Sequence, residues 1–129
     1  MKISEMVSDM RTTKRRELAG QIVESEYARQ GFDRQDIAPK AQMSTSTLDR
    51  IRKGDDRVLD ATFRQIEGAL GLPDNLLIYI AKGDTAAIDA IGEAEMRPGL
   101  HRVIMQGLAR IALEEVEDSK PPRTRKKAW

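Results

Sequence analysis

The segment from Ser44 to Lys53 combines small polar and basic side chains at helical spacing. Leu48 and Ile51 fall on one side of such a helix, and donors and acceptors of hydrogen bonds fall on the other. Side chains of this length reach base edges in the major groove of duplex DNA, and free amides at a helix start point at a phosphate. The polar group consists of Thr45, Ser46, Thr47, Asp49, Arg50 and Lys53. We therefore expect contacts with nucleic acid, the alternative being an ordinary solvated surface.

The chain has few residues of the types that usually carry catalysis or bind metals. The chain has no cysteine and one histidine, His101, so a Ser-His-Asp site or a multi-histidine metal site would depend on that residue alone. We find no glycine-rich phosphate loop, no paired carboxylates at catalytic spacing and no nucleophile elbow. A capped polar loop explains Asp55 and Asp56 better than a metal does. We expect no enzymatic activity, no metal and no cofactor.

The net charge of +1 conceals an uneven distribution along the chain. Residues 34–57 contain six basic and four acidic residues, and residues 119–129 contain five basic residues and no acidic one. Residues 58–118 contain five basic residues against eleven acidic ones. A polyanionic partner would therefore meet the chain at 34–57 and at the C-terminal end, unless the pattern is only the patchiness of a solvated surface.

A chain of 129 residues is long enough for one domain, or for a small domain with an appendage. Its apolar fraction of 40% and its five aromatic residues suit a small helical protein. No apolar run approaches the roughly 18 residues of a membrane span, and the N-terminal segment lacks an apolar signal core. We expect a soluble cytoplasmic protein without membrane contact.

Glycine and proline divide the chain into pieces with helical apolar spacing, and nothing indicates a strand, so we predict an all-α fold. Residues 3–27 form either one long helix or two. Asp33, Ser44, Asp60 and Asp84 are expected N-caps. The later helices are predicted over 34–41, over 44–52, after Asp60, from Pro73 to Gly83, after Asp84, and from about Leu100 to Val116.

The segment 34–54 resembles the helix-turn-helix of the Cro and cI-type repressors, the XRE family. Ile37-Ala38 on the first helix, Met43-Ser44 at the turn, Leu48 and Ile51 on the second helix, and Gly54 at its end match the family without a gap. Ala69-Leu70-Gly71-Leu72 and the following Pro73–Leu77 match further helices, so the resemblance covers about residues 12–82. It implies a five-helix, lambda-repressor-like DNA-binding domain over residues 1–83.

Two positions depart from the family pattern. Gln42 stands in the turn where the family usually has glycine, so a left-handed backbone there is less favourable or the turn differs. Arg52-Lys53-Gly54 stands where a glutamate often precedes the last basic residue and the glycine, which adds positive charge beside the DNA.

The resemblance also implies roles for single side chains on duplex DNA. Arg50 can donate two parallel hydrogen bonds to a guanine base. Asp49 either accepts a hydrogen bond from a cytosine amino group or orients Arg50. The residues expected to read bases are Thr45, Ser46, Asp49 and Arg50, and those expected to contact the DNA backbone are Arg34, Gln35, Ser44, Thr47, Lys53 and Arg57.

Beyond residue 83 the sequence leaves alternatives open. Residues 84–118 are expected to form a small helical C-terminal domain, and residues 119–129 a basic flexible tail. The last helix either packs on its own domain, dimerises, or belongs to a second DNA-contacting part. Candidates for second DNA contacts are Arg97, Arg102, Lys120, Arg123, Arg125, Lys126 and Lys127.

Related repressors commonly bind palindromes as homodimers. The immunity repressors of temperate phages of mycobacteria look similar in size, and in that group a monomer contacts an asymmetric site through two parts. These resemblances imply a sequence-specific transcriptional repressor, with phage immunity (lysogeny) as its expected role. The rival interpretation is the antitoxin of a toxin-antitoxin pair, with the same DNA-binding core and a toxin-binding C-terminal segment.

Overall fold

The computed structural model describes residues 2–91, Met96 and residues 98–119, with the backbone alone for Pro98 and residues 115–119. Within these residues the chain forms eight α-helices and no strand, which confirms the all-α prediction. The helices are α1 (Ile3–Ser8), α2 (Thr12–Arg29), α3 (Arg34–Lys40), α4 (Thr45–Lys53), α5 (Asp60–Leu70), α6 (Leu76–Lys82), α7 (Thr85–Ala90) and α8 (Pro98–Ser119). The apolar stretch at the N-terminus is therefore two helices.

Helix α2 lies at the centre of the packing, because α4, α6 and α8 all pack against it. Each aliphatic side chain buried in this way stabilises the fold by about 1.5–3 kcal/mol relative to exposure. The fully buried large side chains include Leu18 and Ile22 of α2, Leu48 and Ile51 of α4, Leu76, Leu77 and Ile80 of α6, and Leu100, Ile104 and Ile111 of α8. The core thus holds α4 and α8 against the same central helix.

Two glycines allow neighbouring helices to approach α2 closely. A Cβ atom added to Gly20 would lie 2.4 Å from the carbonyl oxygen of Ile51, so α2 and α4 meet backbone to backbone. A Cβ atom added to Gly107 would lie 2.8 Å from a methyl carbon of Leu18, so α8 also sits close on α2. Larger side chains at either position would push the helices apart.

Three of the predicted N-caps are confirmed. The side chain of Asp33 accepts a hydrogen bond from the Asp36 amide, and that of Asp84 accepts one from the Ala87 amide. Ser44 caps α4 in the same way. These caps satisfy amides that lack an acceptor within the first helical turn, which is a purely local requirement.

The predicted cap at Asp60 is wrong. The N-cap residue of α5 is Leu59, which makes no capping hydrogen bond, and Asp60 is the first helical residue. The Asp60 carboxylate instead accepts a hydrogen bond from Lys82 Nζ at 2.9 Å. This contact ties the start of α5 to the end of α6.

The predicted start of α6 at Pro73 is also wrong. The helix begins at Leu76, because Asn75 has a left-handed backbone with φ 67°. The buried carboxylate of Glu67 accepts hydrogen bonds from the amides of Asn75 and Leu77, both at 2.8 Å. Burial raises the pKa of Glu67, although these two amides oppose the shift. A side chain on α5 therefore caps α6 from a distance in sequence.

The two ends of the described chain pack on the same core. Ser4 Oγ of α1 donates a hydrogen bond to Asp89 of α7 at 2.6 Å, and α8 begins at Pro98, two residues before the predicted start. One cluster of buried apolar side chains runs from Ile3 to Ile111, across the predicted boundary at residue 83. The predicted separate domain over residues 84–118 stays a prediction.

Candidate nucleic-acid interface

The start of α4 is open to solvent. Ser44 Oγ accepts a hydrogen bond from the Thr47 amide at 3.1 Å and lies 3.0 Å from the Thr47 hydroxyl oxygen. The amides of Thr45 and Ser46 have no acceptor within the helix, since they lie in its first turn. The side chains of both residues are exposed. This end of α4 can therefore donate hydrogen bonds to an anion or to base edges.

The two sides of α4 differ in burial as the spacing predicted. Leu48 and Ile51 are buried against α2 and hold the helix in place. On the other side, Ser46, Arg50 and Lys53 are exposed. The helix is thus anchored by one side and offers polar groups on the other.

The turn between α3 and α4 closes on a left-handed residue. Gln42 has φ 59°, its amide donates to the Pro39 carbonyl at 3.0 Å, and the Met43 amide donates to the Ala38 carbonyl at 2.9 Å. This pair of bonds is the Schellman arrangement that ends many helices. Four other helices of the described chain reach their left-handed position at a glycine: Gly31, Gly54, Gly71 and Gly83. The turn therefore keeps the left-handed conformation with glutamine in place of glycine.

Asp49 links α3 to α4. Its two carboxylate oxygens accept hydrogen bonds from Arg34 at 3.1 and 3.0 Å, and one of them also accepts a bond of 3.2 Å from Arg52. Arg52 in turn donates to Glu24 of α2 at 2.6 Å. The four side chains form a chain of ion pairs across three helices, and Asp49 is bonded within it rather than to Arg50.

The charges in this network reinforce one another. Partial desolvation would raise the pKa of Asp49, but hydrogen bonds and positive charge from Arg34 and Arg52 outweigh it and lower that pKa. Desolvation would lower the pKa of Arg52, yet its bond to Glu24 and the neighbouring charges raise that pKa. Asp49 is therefore ionised at neutral pH and holds Arg34 at the start of α3, with the Arg34 side chain still 48% exposed.

Arg50 and Lys53 contrast with this network. Both are exposed, and neither side chain has a hydrogen bond or an ion-pair partner among the residues that the structure describes. Two cations on the outer side of one short helix are thus available to an external anion or acceptor.

The other predicted backbone contacts surround α4. Gln35 is exposed at the start of α3, and Arg57 is exposed in the loop that follows α4. Asp55 binds Arg57 through the amide at 2.8 Å and through the guanidinium at 3.1 and 2.8 Å, and this contact keeps the pKa of Asp55 far below its ordinary value. Asp55 therefore organises a polar loop, as expected from the sequence.

The C-terminal candidates are described only in part. Arg102 is exposed on α8, whereas Arg97 and the basic residues from Lys120 to Lys127 lie outside the described residues. Arg110, which the sequence did not single out, lines a groove together with Lys53. The sequence alone does not predict that Arg110 lies near Lys53, because the register of α8 along α2 is set by side-chain packing.

Across the part of the chain that the structure describes, no group of histidine, aspartate or glutamate side chains could hold a metal ion. In the same residues, no helix has both the length and the apolar character needed to cross a bilayer. No family model matches the chain, and no curated protein and no solved structure matches it significantly. The geometry around α4 is therefore the feature of this chain that bears on function.

Proposed function

We propose that this protein is a sequence-specific repressor that binds double-stranded DNA and reads the major groove with α4. The observation that carries the proposal is the pairing of a buried side, Leu48 and Ile51, with an exposed polar side that presents unpaired Arg50 and Lys53. Such a helix fits the major groove, which is about 12 Å wide. Arg50 donates two parallel hydrogen bonds to a guanine, while Thr45 and Ser46 contact neighbouring bases.

The order and packing of α2–α6 support a lambda-repressor-like arrangement. Helices α3 and α4 are short and joined by a tight turn, and α4 packs on α2. In this proposal α3 lies across the phosphate backbone with Arg34 and Gln35 at its exposed start. Asp49 acts as a positioning residue that holds Arg34 toward the backbone.

Repression follows from occupancy of a promoter, with no cofactor required. The burial of Leu100, Ile104, Leu108 and Ile111 within the chain favours this over the antitoxin alternative, since that stripe is not free for a toxin. A homodimer would likewise need another surface. The narrower role in phage immunity rests on the resemblance in size and helix order alone.

Selection of bound duplexes from random DNA tests the proposal. The full chain should enrich one sequence, and the mass of the complex should distinguish two chains on a palindrome from one chain on an asymmetric site. If about six phosphates are neutralised, the plot of log affinity against log salt should have a slope near −5.

Arg50→Ala should weaken binding to the selected sequence by about 1–3 kcal/mol and relax the preference at one base pair, because one bidentate contact is lost. Arg64→Ala is the matched control, since Arg64 is exposed on α5 and hydrogen bonds only Asn75 among the described residues. It should leave the preference intact. An unchanged preference after Arg50→Ala, or a salt slope near zero, would refute the reading role of α4.

A further inference from the structure

Helix α8 passes beside the end of α4 and forms a groove with it. The groove is lined by Gly20, Gln21 and Glu24 of α2, Arg52 and Lys53 of α4, and Arg110 and Glu114 of α8. Arg110 and Lys53 are both exposed. A cation from the C-terminal helix therefore stands on the same groove as the last basic residue of α4.

Most of the other charges at this groove cancel. Glu24 is paired with Arg52, and Asp49 is paired with both Arg52 and Arg34. Neither Arg110 nor Lys53 has a hydrogen bond or an ion-pair partner within the described ranges. Of the described lining residues, Glu114 is the other acid, and its Oε1 atom is buried without a hydrogen-bond partner among them. Among the described lining residues, two cations without an ion-pair partner thus face one carboxylate, and these residues together carry a net positive charge.

The position of Arg110 is fixed by the packing around it. Gly107, less than one turn earlier, lets α8 sit within van der Waals contact of Leu18, and Leu108 and Ile111 are buried on both sides of Arg110 in sequence. The backbone of Arg110 therefore cannot move away from α4 without opening the core. The packing thus fixes where the Arg110 side chain begins, while the exposed side chain itself still loses rotamer freedom when it binds.

If α4 enters the major groove as proposed, its length would place this protein groove at the edge of the DNA. The helix has nine residues and is about 14 Å long, which is comparable to the width of the major groove. When such a helix lies in the groove, its end at Lys53 approaches one of the two phosphate walls. In that orientation, the protein groove that Lys53 and Arg110 line would lie next to the same wall of DNA phosphates.

We propose that Arg110 and Lys53 together bind the phosphate backbone at the C-terminal end of α4, so that α8 is part of the DNA-binding surface. This inference rests on the proposed function and adds a contact that does not read sequence. Phosphate contacts strengthen binding to every sequence and steepen its dependence on salt. In this arrangement the negative charge of Glu114, which lines the same groove, opposes the contact.

The test uses the full chain and the duplex selected from random DNA. Arg110→Gln should reduce the magnitude of the salt slope by about 0.9 and weaken binding roughly five- to tenfold at 0.1 M salt, with the preferred sequence unchanged. Arg110→Lys should keep the slope, since it keeps the charge. Glu114→Gln should strengthen binding, because it removes a repulsive charge without changing the shape of the side chain.

Arg64→Gln serves as the control for loss of a surface charge and should keep the slope of the parent. Thermal unfolding of each variant shows whether the fold is intact. An unchanged slope in Arg110→Gln, together with unchanged binding in Glu114→Gln, overturns the role of α8 while Arg50→Ala still reports on α4. A parent protein that enriches no sequence would instead count against the proposed function itself.

Discussion

Neighbouring charged residues on α4 have different roles because their surroundings differ. Asp49 and Arg52 face α2 and α3 and are bonded to Glu24 and Arg34, whereas Arg50 points outward without a partner among the described residues. A side chain that is already paired gives up those contacts to reach DNA, and an unpaired one does not. Base reading is therefore expected to depend more on Arg50 than on Asp49.

Among the described residues, Gln42 and Asn75 have a left-handed backbone without being glycine, and glutamine tolerates this conformation less well than asparagine. A left-handed conformation costs an L-residue about 1–2 kcal/mol, and glycine removes most of that cost. Part of the gain is lost because glycine also raises the conformational entropy of the unfolded chain. Gln42 is exposed and its φ is 59°, so Gln42→Gly should raise the free energy of unfolding by roughly 0.5–1 kcal/mol in urea denaturation.

Gln35→Gly is the matched control for that change. Gln35 is exposed as well but lies in the first turn of α3 with a helical backbone, where glycine should lower the free energy of unfolding by up to about 0.5 kcal/mol. Equal effects of the two substitutions would show that the left-handed turn is not a source of strain.

At the scale of elements, the placement of α4 depends on the close crossing at Gly20. Gly20→Ala would bring a methyl group within 2.4 Å of the Ile51 carbonyl oxygen and within 2.7 Å of that of Arg52. Backbone atoms cannot yield as a flexible side chain would, so the free energy of unfolding should fall by about 3 kcal/mol or more. Chemical denaturation measures this loss, and DNA binding should weaken with it because α4 is displaced.

Gly68→Ala provides the opposite case on α5. Apart from the adjacent residues and the backbone of α5 itself, no atom lies within 4 Å of the Cβ position there, so alanine should raise the free energy of unfolding by up to about 1 kcal/mol through helix propensity alone. If Gly20→Ala were as stable as the parent, α2 and α4 would not cross as closely as described.

Local rules predicted the elements well, and distant contacts explain where they failed. The caps at Asp33 and Ser44 follow from short-range hydrogen bonds, and the spacing of Leu48 and Ile51 identified the buried side of α4. The start of α6 was missed because Glu67, eight residues before Asn75, supplies the cap after the chain has folded back. Local patterns in the sequence do not predict a capping partner from another helix.

At the scale of the whole molecule, the buried side chains of α8 belong to the same apolar cluster as those of α2. Its apolar stripe was recognisable in the sequence, but the surface that receives it was not, since the stripe fits α2, a second copy or a partner equally well. Packing of Gly107 against Leu18 selects α2 and sets the register that brings Arg110 to Lys53. The site on α4 could therefore be predicted from residue types, and its extension onto α8 could not.

The most direct test of the central claim is to follow the backbone amide resonances of the full chain while the selected duplex is titrated in. Binding through α4 predicts the largest shifts at residues 34–35 and 44–53, with a smaller group around Arg110. The amide resonances of α1 (residues 3–8) and α7 (residues 85–90) should shift little. Shifts concentrated on α1 and α7, with the amides of α4 unmoved at saturation, would contradict the account.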